Sequence, residues 1–141
     1  MNFEIPNLDL NDWLNGLRPY QKNLILEMLK SEPDHEKVAM GWLNSNSLGN
    51  TVPFGGEQDP KPFWDKFKLE FRKFICGDKA YDNERSQLAK EAPISSMLAI
   101  NAISGALGAT IGYSATFLAP AVAILLYSIS KMGVNAYCQT N

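Results

Sequence analysis

The feature that most constrains this chain is its charge-free C-terminal region. Between Glu91 and Lys131 there is no Asp, Glu, Lys or Arg, and the stretch is rich in glycine and interrupted by Pro120. Such apolar surface must leave water, either in the core of a soluble protein or in a membrane. Its pattern predicts a helix from about Ile94 to Ile111, a turn at residues 112–114, and a second helix that ends at about Met132. The second helix begins at about Ala115, or nearer Ala119, where Pro120 would cost least.

The first of these helices carries small residues at three- and four-residue spacing. They are Ala102, Gly105, Ala109 and Gly112. Small residues on one face let two helix backbones approach closely, an arrangement common between membrane helices. We therefore predict that this face packs against the second helix. If that hairpin is the core, leucine at Gly108 or Ala109 would overpack it.

The second helix is apolar on all sides, as in a membrane segment or in the centre of a larger assembly. The residues expected to face a membrane or a partner are Phe117, Leu118, Val122, Leu125, Leu126 and Ile129. Against a crossing, each helix has only about the minimum length, roughly 17–20 residues, and Asn101 would need a partner in hydrocarbon. In favour of a membrane crossing, Lys90 and Lys131 lie at the two ends of the hairpin. A hairpin would place both on the same side of the bilayer, as the positive-inside rule expects.

The N-terminal part, residues 1–91, has the pattern of amphipathic helices. One is predicted from Pro19 to Lys30 and another from Ser31 or Asp34 to Leu43. Residues 44–62 are rich in Asn, Gly, Pro and Ser and are predicted to form a long loop.

A further amphipathic helix follows and ends at Gly77, which suits a left-handed cap. Its aromatic face comprises Phe63, Trp64, Phe67, Phe71 and Phe74. That face either packs in the core, as in most amphipathic helices, or lies on a membrane with its Lys and Arg near the headgroups.

These patterns predict an all-α protein. A small amphipathic helical bundle, residues 1–91, precedes a C-terminal apolar, glycine-rich helical hairpin with a short tail, residues 92–141.

The residues that could carry chemistry are few. A net charge of -2 argues against a nucleic-acid ligand. With one His and two Cys, the chain has neither a metal-ligand spacing nor a phosphate loop. Cys76 and His35 are the one candidate nucleophile pair, but both lie beside apolar stripes. We therefore expect neither an enzyme nor a cofactor; whether Cys76 pairs with Cys138 stays open.

Two functions fit this pattern. The first is a small non-enzymatic bacterial protein that inserts or docks its C-terminal hairpin into a membrane, as a membrane-perturbing effector or a membrane-anchored partner subunit. The second is a soluble helical adaptor whose hairpin forms the core or a protein-protein interface. Self-association is compatible with both. The N-terminus lacks the features of a signal peptide, which predicts an intracellular protein, in the cytoplasm or at the cytoplasmic face of the membrane. Burial of Phe117, Leu125 and Ile129 discriminates between the two.

Overall fold

The protein folds entirely into helices over the residues that the structure, a computed structural model, describes: 5–51, 61–91 and 93–139. This confirms the all-α class. The helices are α1 (Leu10–Leu14), α2 (Pro19–Ser31), α3 (His35–Thr51), α4 (Lys61–Cys76), α5 (Asp82–Ala89), α6 (Ser96–Ile111), α7 (Ala115–Met132) and α8 (Val134–Gln139), with a short 3-10 turn, Lys79–Tyr81, before α5.

Local capping sets the ends of α6 and α7. The Ser95 hydroxyl accepts the Leu98 amide at 3.1 Å, so α6 begins at Ser96, two residues later than predicted. Gly112 closes α6 in the left-handed conformation, with φ of 85°. The Ser114 hydroxyl then caps α7 by accepting the Phe117 amide at 3.1 Å.

The predicted loop at residues 44–62 is wrong at both ends. Helix α3 continues to Thr51, and α4 already begins at Lys61. Residues 44–51 contain no proline, so every residue there has the backbone N–H that a helix needs, whereas the residue before Pro53 is disfavoured in a helix. The rest of that prediction, residues 52–60, lies outside the described part of the chain.

Helix α7 is the central element of the bundle. It contacts α1, α2, α3, α6 and α8, and the side chains of nine of its residues are buried. The longest apolar segment is therefore wrapped by the amphipathic helices of the same chain, which bury the hydrophobic side chains that drive folding.

The aromatic face of α4 belongs to the same core. Trp64, Phe67, Phe71 and Phe74 are at most 5% exposed. Phe63 is partly buried, and its ring centroid lies 4.5 Å from that of Tyr113, in the turn between α6 and α7. Gly77 ends α4 with φ of 95°, as predicted.

Candidate functional site

Pro120 interrupts the hydrogen bonding of α7, and a side chain from another helix compensates for it. Proline has no N–H, so Pro120 leaves the carbonyl of Thr116, four residues earlier, without its helical donor. The side-chain amide of Gln21, in α2, donates to that carbonyl at 2.8 Å. Gln21 is only 2% exposed although it is polar. A side chain of another helix therefore supplies the donor that the proline removes, although Thr116 itself is exposed.

A second side chain bonds the next carbonyl of α7. The indole N–H of Trp42, in α3, donates to the Phe117 carbonyl at 2.8 Å. The ring of Trp42 is 5% exposed. Two of the amphipathic helices therefore hold the first turns of α7 by polar contacts as well as by apolar packing.

Other helices of the chain cover most of the face predicted for a membrane or a partner. Leu118, Val122 and Leu126 are fully buried, and Ile129 is 2% exposed. Phe117 and Leu125 are half-buried. Among the described residues α7 is long and apolar enough to cross a bilayer, with a mean hydropathy of 1.5, but half of it is buried inside the protein.

The face of α6 that was predicted to pack against the second helix is mostly exposed to solvent. Gly105, Ala109 and Gly112 are exposed and Ala102 is half-buried. A Cβ added at Gly105 would meet no atom within 4 Å. The buried face carries Ile100, Ile103 and Leu107 instead, because these larger side chains remove more apolar surface from water.

The close approach in α6 occurs at Gly108. A Cβ there would lie 2.3 Å from the carbonyl oxygen of Tyr113. The amides of Gly112 and Tyr113 both donate to the Gly108 carbonyl, which folds the turn back onto the helix. Of the two positions predicted to be sensitive to leucine, the structure therefore supports Gly108 and contradicts Ala109.

A groove of about 600 Å³ lies between the start of α3, the middle of α4, the end of α7 and α8. We call it the groove. Its apolar part includes Leu125 with the two exposed hydrophobic side chains Leu69 (53%) and Met132 (54%). Its polar part includes Asp34 and Asp65.

The charged side chains at the groove are mostly engaged with one another or with the backbone. Lys68 pairs with Glu36 across the groove at 2.7 Å. Asp34 accepts the amide of Glu36 at 3.0 Å and so caps α3. The His35 ring packs edge-on against Tyr127, with 5.3 Å between ring centroids.

Helix α8, predicted as an irregular tail, borders the groove and is tied to α4. Cys76, the last residue of α4, forms a disulfide with Cys138. The Arg72 guanidinium donates to the carbonyls of Tyr137 (3.2 Å) and Cys138 (2.7 Å). Burial raises the pKa of the Tyr137 phenol to about 12, although the nearby Arg72 charge lowers it.

Two buried polar clusters were not predicted from the sequence. The Tyr81 hydroxyl lies 2.7 Å from the Glu70 carboxylate and 3.0 Å from the Thr110 hydroxyl, and its burial raises the phenol's pKa to about 12. Arg85 is 1% exposed, and its guanidinium donates to the carbonyls of Phe74, at the end of α4, and Asp78. The Tyr81 cluster reaches from α4 to α6, and the Arg85 cluster joins the end of α4 to α5; helix periodicity identifies neither of them.

While the disulfide is formed, the one candidate nucleophile pair has no free thiol. The sulfur of Cys76 is bonded to Cys138, so it is not available as a thiolate beside His35. Within residues 5–51, 61–91 and 93–139 no three His, Cys, Asp or Glu side chains lie close enough to hold a metal ion.

Compared with models of protein families, with curated proteins and with solved structures, the chain matches none.

Proposed function

We propose that this protein is a non-enzymatic helical interaction protein that works in a soluble form, with its apolar segment as the core. The observation that carries the proposal is the bond from Gln21 to the Thr116 carbonyl, which Pro120 leaves without a donor. An unsatisfied backbone carbonyl costs several kcal/mol in hydrocarbon. Withdrawing α7 from its bundle would break this bond and the one from Trp42.

The groove is the surface through which such a protein would act. Protein interfaces combine apolar side chains with surrounding polar ones. The groove is lined by both kinds, and Leu69 and Met132 offer exposed apolar side chains there. We propose that it takes an apolar side chain from a segment of a partner protein.

Photo-crosslinking tests this role of the groove. A photoreactive residue at Leu69 should give a discrete protein adduct in cells that naturally express the chain. The same photoreactive residue placed at Lys30 serves as the control, because Lys30 is exposed near the end of α2 and does not line the groove. Equal labelling from the two positions, or none from Leu69, would contradict the role of the groove.

Solution behaviour tests the soluble form itself. The protein purified without detergent should elute as a defined species in size-exclusion chromatography with light scattering. It should also stay with the soluble fraction when mixed with anionic or zwitterionic vesicles and centrifuged through a density gradient. Flotation with the vesicles would refute the proposal.

Membrane insertion of the C-terminal hairpin is the second candidate function. It is supported by the length and hydropathy of α7 and by the absence of charged side chains between Glu91 and Lys131. This function predicts the opposite flotation result, together with protection of α7 from proteases only when vesicles are present.

A further inference from the structure

We propose that the Cys76–Cys138 disulfide is a redox latch that holds α8 against α4 as one wall of the groove, and that reduction releases α8 while the rest of the bundle stays folded. The bridge joins the amphipathic part of the chain to its C-terminal end across 62 residues. This inference does not depend on the proposed function, because it concerns the position of α8 and not what the groove binds.

Helix α8 lies at the edge of the bundle. It has six residues, none of them fully buried, although Val134, Tyr137 and Cys138 pack partly against the core. An isolated helix of this length is not stable in water. It follows α7 directly through Gly133, whose φ of 98° is open to glycine and strained for other residues. Glycine also adopts many other backbone conformations without strain, so α8 can change its direction here while α7 keeps its own hydrogen bonds.

The other observed contacts of α8 with α4 centre on one residue pair. Arg72 donates to the carbonyls of Tyr137 and Cys138, and its guanidinium lies 5.4 Å from the centre of the Tyr137 ring. The Tyr137 ring meets Phe71 edge-on, with 6.2 Å between ring centroids. Arg72 and Tyr137 also line the groove, so moving α8 changes its shape.

The bridge is open to chemical attack at one end. Cys76 is exposed, whereas Cys138 is half-buried. A thiolate of a dithiol reductant attacks the sulfur of Cys76, forming a mixed disulfide and releasing Cys138 as a thiolate that takes up a proton. The reductant's second thiol then displaces Cys76. Two electrons and two protons pass to the protein, which gains two thiols, and the reductant is left as a disulfide.

Hydrogen exchange of the full-length protein tests the latch, with dithiothreitol as the reductant and thiol counting to verify that the bridge has opened. Reduction should speed exchange at α8 by roughly ten-fold or more, as expected for a short helix that loses its support. The amides of α4 and α7 should keep their protection. Protection of α8 that survives reduction would overturn the proposal, and so would loss of protection throughout the chain.

Two variants separate the bridge from its neighbours. Cys138→Ser without reductant should reproduce the exchange pattern of the reduced protein and should no longer respond to dithiothreitol. Arg72→Gln with the bridge intact should leave α8 protected, because the covalent link remains. If Arg72→Gln frees α8 as fully as reduction does, the arginine and not the disulfide is the latch, and the proposal is wrong.

Discussion

Replacing Gln21 by methionine removes the donor that satisfies the Thr116 carbonyl and keeps a side chain of similar length. This carbonyl lies four residues before Pro120. Gln21 itself is buried, but Thr116 is exposed, so water can partly replace the lost donor. Losing the hydrogen bond should therefore cost about 0.5–1.5 kcal/mol. The side chain of Gln21 also accepts the Arg18 amide at 3.3 Å, at the start of α2, which adds about 1 kcal/mol or less to the loss.

Pro120→Ala isolates the part of this cost that belongs to the proline. Alanine restores an N–H that can donate to Thr116, and a carbonyl has lone pairs for two donors. In the Pro120→Ala background, Gln21→Met should therefore cost less than it does with proline, because the restored N–H keeps the Thr116 carbonyl satisfied when Gln21 is lost. The double-mutant cycle should give a coupling of about 0.5–1 kcal/mol. Effects of either substitution that do not involve the shared carbonyl cancel in this coupling.

Urea denaturation of the four proteins, followed by circular dichroism, measures this coupling. The midpoints should shift while the slopes stay equal, which indicates that stability alone has changed. A Gln21→Met cost that is the same with proline and with alanine at position 120 would refute the reasoning, since Gln21 would then not compensate for Pro120.

Two further predictions concern α6 and the buried tyrosines. Gly108→Ala should lower the melting temperature, because its Cβ would lie 2.3 Å from the backbone oxygen of Tyr113 and overpacking costs about 1–3 kcal/mol. Gly105→Ala, which meets open space in mid-helix, should raise it by a few degrees through a gain of about 1 kcal/mol; equal shifts would contradict the packing described. The pKa values of Tyr81 and Tyr137 are both raised from 10.0 to about 12. The folded state therefore keeps protons that the unfolded chain releases, and stability should fall as the pH rises from 10 to 12. Phenolate absorbance measured against pH should show that both phenols ionise at about pH 12. If all the tyrosines ionise at about pH 10, the burial of these two is contradicted.

The sequence was sufficient to predict the helical class and several helix ends. Caps act locally, so Gly77 and the boundaries of α7 follow from residues a few positions apart. The all-α class follows from the periodicity of the amphipathic helices and from the length of the apolar ones.

The orientation of α6 was predicted wrongly because this charge-free helix has few polar side chains to mark its exposed side: Asn101 and Thr110 are exposed, but Ser104 is buried. The spacing of Ala102, Gly105 and Ala109 indicates only that two backbones can approach closely there. Side-chain size is the better guide, since Ile103 and Leu107 on the other face bury more apolar area.

The polar contacts of the core could not be predicted from local sequence. Gln21 and Thr116 are 95 residues apart, and Cys76 and Cys138 are 62 apart. Pro120 does signal that one carbonyl of α7 needs a donor. Which side chain supplies it depends on how α2 packs on α7, and that is decided by the whole bundle.

The most direct test of the core role of α7 compares two adjacent leucines. Leu126 is fully buried, whereas its neighbour Leu125 is half-buried at the groove. In detergent-free buffer, Leu126→Ala should lower the free energy of unfolding by about 2–5 kcal/mol. Leu125→Ala should lower it by about 1 kcal/mol or less. If urea denaturation gives the two variants the same midpoint, α7 is not packed inside this bundle in solution, and the account of it as the core is wrong.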